Sequence, residues 1–367
     1  MQDYLHTYPF LAYTFILAFS IMLTLLAIPS ILHVAGKRHL YDDIGSFRKE
    51  HDHGIPRLGG IAIFVSFTIT ALLFGFADKS LPINYLLAAC IILFAMGLKD
   101  DLWGVNSKTK FFMQFIVGAI LVVLGNIRLT SLYGIFGFHD LSYIPAAALS
   151  ILVIMLIVNA FNLIDGIDGL ASVTGIIVNA TFAALFIYMH QYALAAVSLA
   201  LVGAIFGFLR YNISPAKIFM GDTGSLLIGL ISAVMALKFI ELNKFTGTNV
   251  PAIISAPALT VAILIGPIFD TLRVFTLRIA NGKSPFSADR NHIHHRILTL
   301  GFSHIQTTLI LAGINMFSIV IALYFSGLGN STLICLIFLM SLLFNWLITF
   351  LLRSKERESL ALRNFFV

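Results

Sequence analysis

Leu141-Ser-Tyr-Ile-Pro-Ala-Ala-Ala-Leu-Ser150-Ile-Leu-Val-Ile-Met-Leu-Ile-Val-Asn159-Ala-Phe161 is the stretch whose reading decides the fold. About 20 mostly apolar residues suffice to cross the hydrocarbon core of a bilayer as a helix. The run does not alternate apolar and polar residues, so it is not a barrel strand, and a helix is the remaining way to satisfy the backbone in lipid. It closes directly on Asn162-Leu-Ile-Asp165-Gly-Ile-Asp168-Gly169, a dense polar cluster at the end of a membrane span.

Outward from it, ten more candidate spans follow: roughly 9–32, 58–77, 81–98, 111–128, 172–190, 192–210, 225–241, 252–270, 304–326 and 331–352. The sixth and seventh spans in chain order are divided only by His190 and Gln191. Composition agrees: 59% hydrophobic residues, 11% charged and a mean hydropathy of +0.96 lie far from the balance of a soluble domain. The expected fold is all-α, one polytopic membrane domain over 1–367 with about 11 transmembrane helices. Cys90 and Cys335 sit inside apolar runs, read as small buried hydrophobes, and give no disulfide framework. The first apolar stretch is too long for a signal peptide core and lacks a basic leader, so it reads as the first span.

Lys and Arg set the orientation. With the N-terminus outside and the C-terminus cytosolic, 19 of the 23 basic residues fall in inner segments, and only Lys79, Arg128, Lys238 and Lys244 stay outside. The net charge of +6 therefore reads as topology and not as nucleic-acid binding.

Five polar clusters punctuate the spans, all on the inner side of that topology. Lys99-Asp100-Asp101 closes the third span, and adjacent carboxylates are relieved by a divalent cation. Lys108 and Lys110 follow, where an anion could use them. In the second cluster Asn162, Asp165 and Asp168 are spaced by three and would share one face of a helical turn, with Gly166 and Gly169 letting the backbone bend. Phe219-Met-Gly221-Asp222-Thr-Gly-Ser225 enters the eighth span, where Asp222 is either an N-cap or a metal ligand. The loop Ser284-Pro-Phe-Ser-Ala-Asp289-Arg290-Asn291-His292-Ile-His294-His295-Arg296 lacks a zincin pattern, and its basic surroundings, Arg278 among them, suit phosphate oxygens better than zinc. The first inner loop, Asp42-Asp43 through Arg48-Lys49 to Pro56-Arg57, fits anionic lipid or a lipid phosphate. Carboxylates, lysines, arginines and histidines on one face are what phosphoryl transfer between two anions needs.

These clusters, in this order from about 41 to 296, resemble the polyprenyl-phosphate N-acetylhexosamine-1-phosphate transferases, the family of MraY, WecA and TagO. The resemblance implies Mg²⁺ (Mn²⁺ as a substitute) held by Asp222 and Asn162. It implies catalytic roles for Asp100, Asp101, Asp165, Asp168 and His292. Asp43, Arg48, Lys110, Phe219, Arg278, Asp289, His294 and His295 would contact substrate, with Phe219 stacking near the uracil. The serines and Pro285 ahead of the histidines and Arg296 after them look like the WecA/TagO side. That implies transfer of N-acetylglucosamine-1-phosphate from a UDP-N-acetylhexosamine to undecaprenyl phosphate at the cytosolic face of a bacterial inner membrane, with release of UMP. The phospho-N-acetylmuramoyl-pentapeptide transferase activity of peptidoglycan synthesis is the alternative within the family, and a secondary transporter the alternative outside it. The sequence leaves homodimerisation open.

Overall fold

The apolar runs become helices whose lipid-facing and buried sides are both hydrophobic, so burial is decided by packing and not by amphipathic patterning. The computed structural model describes residues 9–40, 54–75, 81–244, 253–282 and 291–365. Asp43, Arg48 and Asp289 lie outside them.

The helices are α1 (Pro9–Arg38), α2 (Gly59–Phe74), α3 (Ile83–Trp103), α4 (Ser107–Ala119, continued by a π-turn over Ile120–Leu124), α5 (Tyr143–Ile164), α6 (Leu170–Tyr188), α7 (Tyr192–Asn212), α8 (Gly221–Leu242), α9 (Ala256–Ile263), α10 (Ile265–Ala280), α11 (Ile293–Leu300), α12 (His304–Tyr324) and α13 (Asn330–Phe365). Among the described residues nine helices are long and apolar enough to cross a membrane, and α9 with α10 forms a tenth span bent by 75°. The shorter α2 occupies the stretch read as the second span. Met189–Gln191 does divide the sixth and seventh helices, with His190 in the left-handed region.

The bend between α9 and α10 has a local cause. Pro267 cannot donate a backbone hydrogen bond in the first turn of α10, so the helix of α9 cannot run through it. In lipid the freed groups must find partners. Asn315 of α12, only 3% exposed, supplies them: its Nδ2 donates to the Ile263 carbonyl at 3.1 Å and its Oδ1 accepts from the Gly266 amide at 3.3 Å.

α8 is the central helix, buried along nearly its whole length, and packs against α2, α3, α5, α6 and α7. Close approach depends on glycine, as between membrane helices generally. A Cβ on Gly97 would lie 2.7 Å from the Thr223 Cα, and one on Gly60 would collide with the Gly224 backbone. Both contacts seat the first turn of α8 between α2 and α3.

The loop between the fourth and fifth spans holds a short antiparallel hairpin, β1 (Ser131–Ile135) and β2 (Phe138–Asp140), that the sequence reading did not anticipate. Glu241 at the end of α8 anchors it, accepting from the Thr130 amide at 2.7 Å and its hydroxyl at 2.9 Å. Cys90 is buried as expected, whereas Cys335 is exposed, on a span whose outward side is apolar.

Candidate active site

Among the described residues, polar side chains from several of the clusters converge at one end of the bundle. The C-terminal end of α3, the N-terminal end of α4, the C-terminal end of α5 and the N-terminal end of α8 meet there around a cleft of about 430 Å³. Arg57, Asp101, Asn162, Asp165, Asp168 and Asp222 line it, together with Asn212, Phe219 and His304.

Asp222 stands in the first turn of α8 but does not cap it, which removes the N-cap reading. Its Oδ1 accepts from Asn162 Nδ2 at 2.8 Å and its Oδ2 from Lys110 Nζ at 2.8 Å. The ammonium of Lys110 also bonds Asp100 Oδ2 at 2.5 Å. Thus one cation is shared by two carboxylates whose side chains are only 14% (Asp100) and 21% (Asp222) exposed. Asn162 makes a further bond to Ser225 Oγ at 3.1 Å, and Asp100 Oδ1 accepts from the Val105 amide at 2.6 Å.

Asp101 has a different task from its neighbour. Its oxygens accept from the Asp222 amide at 2.7 Å, the Thr223 amide at 3.0 Å and the Thr223 hydroxyl at 2.5 Å. A carboxylate from α3 therefore satisfies the orphan donors at the start of α8, where the helix dipole also favours negative charge. Gly221, at φ +71°, is required here: a Cβ would lie 2.6 Å from both the Arg57 carbonyl oxygen and Asp101 Oδ2.

The expected helical face of Asn162, Asp165 and Asp168 is not formed. α5 ends at Ile164 with Asp165 at its C-cap, and the chain turns twice before Gly169, at φ +78°, opens α6. The turns still bring all three side chains to the cleft. Burial, and then the charges of Asp222 and Asp101, push the Asp165 carboxyl up to about 7. Asp168 Oδ2 accepts from the Ala216 amide at 3.3 Å and lies 3.3 Å from His304 Nδ1. Asn212 ties the start of α6 to the segment before Phe219: its Oδ1 accepts from the Gly169 amide at 3.1 Å and its Nδ2 donates to the Ile218 carbonyl at 3.1 Å. Phe219, half-buried, is held by backbone bonds to Pro56 and Gly59.

The histidines form a second layer behind the cleft. Buried Asp270, on α10, accepts from His292 Nδ1 at 2.9 Å, the Ile293 amide at 3.0 Å and Arg273 at 2.8 Å. One carboxylate thus caps α11 and fixes the His292 ring. His292 stacks on His294, and His294 contacts His295. The His294 Nε2 is buried and abuts Gly166, where a Cβ would strike it. Burial, with the charge of His295, holds the His294 imidazole down at about 3. Arg278 is buried in the last turn of α10 over the Phe275 ring and is not among the cleft-lining residues.

Among the described residues no three His, Cys, Asp or Glu side chains converge as a closed metal site. A hard divalent ion needs less: Mg²⁺ binds through one or two carboxylates and keeps water and substrate oxygens. Asp222 and Asp100, already sharing an ammonium, together with the Asn162 amide, provide such an oxygen set, and the residues present fit that ion.

Sequence reasoning did not select Arg57, Asn212, Asp270 or His304 as site residues. Asp270 and His304 sit at the edges of apolar spans, where a lone polar residue reads as a boundary. Arg57 reads from sequence only as part of a basic loop beside a span.

Fold and site together define a polytopic membrane protein with an acidic, lysine-bridged cleft at one end of its helix bundle. The description of glycosyl transferase family 4 matches residues 83–240, and the chain belongs to that family. A Mycolicibacterium smegmatis protein named decaprenyl-phosphate N-acetylglucosaminephosphotransferase is 34% identical over 286 residues, 72% of this chain and 70% of the relative. An identically named Mycobacterium tuberculosis protein is 34% identical over 304 residues, 76% of this chain and 75% of its own. The undecaprenyl-phosphate alpha-N-acetylglucosaminyl 1-phosphate transferase of Escherichia coli K12 is 32% identical over 275 residues, 73% of this chain and 72% of its own.

Proposed function

We propose that this chain transfers N-acetylglucosamine-1-phosphate from UDP-N-acetylglucosamine to undecaprenyl phosphate or a close polyprenyl phosphate. UMP would be released at the cytosolic face of a bacterial inner membrane, in the first membrane step of a surface polysaccharide. The single observation that carries this reading is the Lys110 ammonium shared by Asp100 and Asp222 beside a cleft with an aromatic wall. The names of the relatives support the sugar and the lipid.

Asp222, Asn162 and Asp100 would hold Mg²⁺, with Mn²⁺ as a substitute, and the ion would supply charge neutralisation to the donor's diphosphate. Lys110, bonded to both Asp100 and Asp222, would add a positive charge beside those oxygens. Phe219 offers a ring face to a planar base. Asp101 acts through α8 by holding Asp222 in place. The acceptor is a phosphate monoester whose second pKa, by analogy with phosphorylated side chains, is about 6, so most of it is dianionic at neutral pH and no strong base is required. In a single displacement an acceptor oxygen bonds to the β-phosphorus while the bond from that phosphorus to the UMP oxygen breaks. Electrostatic positioning is then the main contribution of the protein.

Detergent-solubilised protein given UDP-N-acetylglucosamine, undecaprenyl phosphate and Mg²⁺ should release UMP, and none without lipid. A panel that includes UDP-N-acetylmuramoyl-pentapeptide tests the donor. Turnover of that donor alone would move the chain to the peptidoglycan branch, and no UMP from any donor would overturn the enzymatic reading.

A further inference from the structure

The first turn of α12 lies outside every cluster that the sequence brought forward, yet it closes one wall of the cleft. Ser303 and Gln306 form a reciprocal capping box, which fixes the start of this helix. His304 and Thr308, four residues apart, share a helical face, and both meet Asp168. Thr308 Oγ1 donates to the Asp168 carbonyl at 3.4 Å, and His304 Nδ1 lies 3.3 Å from Asp168 Oδ2. That nitrogen is buried but lacks the alignment of a hydrogen bond, while the His304 side chain as a whole is 41% exposed. Site hydrogen bonds are often long or poorly aligned before a ligand arrives and tighten in its presence.

Asp222, Asn162, Asp168, His304, Asn212 and Phe219 line one cleft. Within it Asn162 and Lys110 are bonded to Asp222, whereas Asp168 stands against His304. An aromatic ring in the same cleft as a carboxylate suits a planar heterocycle bearing an N–H donor, and both contacts made by the Asp168 carboxylate fall on Oδ2, which leaves Oδ1 for a ligand.

We infer that His304 is a positioning residue for the nucleobase end of the donor: it holds the Asp168 carboxylate in the orientation that accepts from the base, while Thr308 holds the Asp168 backbone. This rests on the proposed donor being a uridine nucleotide. It differs from a purely structural role because its loss weakens donor binding without touching the lipid acceptor. It also makes base discrimination a property of α12.

The experiment compares wild-type protein with His304→Ala, His304→Gln and Thr308→Val in steady-state turnover and in calorimetric binding of UMP. Loss of the contact to the charged Asp168, tightened to a hydrogen bond once the nucleotide is bound, predicts a donor KM and a UMP Kd raised about tenfold in His304→Ala. The lipid KM should stay unchanged and kcat fall less than donor affinity does. His304→Gln, which keeps a donor on the side chain, should recover most of the affinity, and Thr308→Val should lie between. An unchanged donor KM and UMP Kd in His304→Ala, with wild-type turnover normal, overturns the inference. Equal losses for donor and lipid would make His304 merely structural and overturn it too. Wild-type protein that neither turns over nor binds UMP would instead defeat the function on which the inference rests.

Discussion

Asp222 and Lys110 show how one residue pair can be read in two ways from sequence and in one way from geometry. The spacing left Asp222 as a cap or a ligand, and Lys110 as a contact for an anion. In the folded chain Asp101 does the capping and Asp222 is turned to Lys110 and Asn162. Replacing Asp222 by Asn removes one of two charges that would hold a divalent ion. Turnover should then fall about a thousandfold or more, while circular dichroism and the detergent elution profile match the wild type; near-normal turnover would remove the metal assignment. Replacing Lys110 by Ala leaves Asp100 and Asp222 facing each other without their cation. Breaking such an enclosed pair costs about 3 kcal/mol, seen as a lower thermal midpoint. Millimolar Mg²⁺ should restore part of that midpoint in Lys110→Ala and shift the wild type less, since in the variant the ion takes over the role of the ammonium. No Mg²⁺ effect on the variant would mean that the two carboxylates do not form the metal site.

At the scale of elements, the histidine helix α11 was legible as a motif but not as a packed layer. Its anchor, Asp270, lies at the end of an apolar run on a bent span, and no sequence pattern connects it to His292, 22 residues later. Likewise the spacing of Asn162, Asp165 and Asp168 suggested a helical face. The actual convergence comes from a helix that stops at Ile164 and a left-handed Gly169, a choice that tertiary packing makes. The burial of His294 has a pH consequence. Its folded pKa is lowered to about 3, whereas the unfolded imidazole titrates near its ordinary value of about 6.5. Between these values the unfolded state binds the extra proton, so stability is complete above about pH 6.5 and is lost as pH falls toward 3. The slope is about 1.4 kcal/mol per pH unit for one such group. Thermal midpoints of detergent-solubilised protein should therefore drop between pH 7 and pH 5, and less steeply in His294→Gln. An equal drop in both proteins would show that another group carries the acid sensitivity.

For the whole molecule, the helix count and the gathering of the clusters at one end were legible because both depend on coarse quantities: the length of apolar runs and the side on which each loop must emerge. The hairpin at 131–140 and the Asn315 bridge across the bent span were not, because each depends on partners more than 45 residues away. Orientation is a further property of the whole chain. The Lys and Arg bias of 19 to 4 predicts that the end carrying Lys99, Lys108, Lys110 and Arg210 is retained in the cytosol, and the site shares that end. The hairpin, Glu241 and Lys244 occupy the other. With Cys335→Ser removing the one exposed native thiol among the described residues, Phe138→Cys on the exposed second strand of the hairpin and Lys108→Cys beside the cleft report the two faces. A membrane-impermeant maleimide added to intact spheroplasts should label position 138, and should label position 108 only after permeabilisation. The reverse pattern would put the cleft outside. There, cytosolic UDP-sugars could not reach it, and both the proposed donor and the side of the membrane would have to be abandoned together.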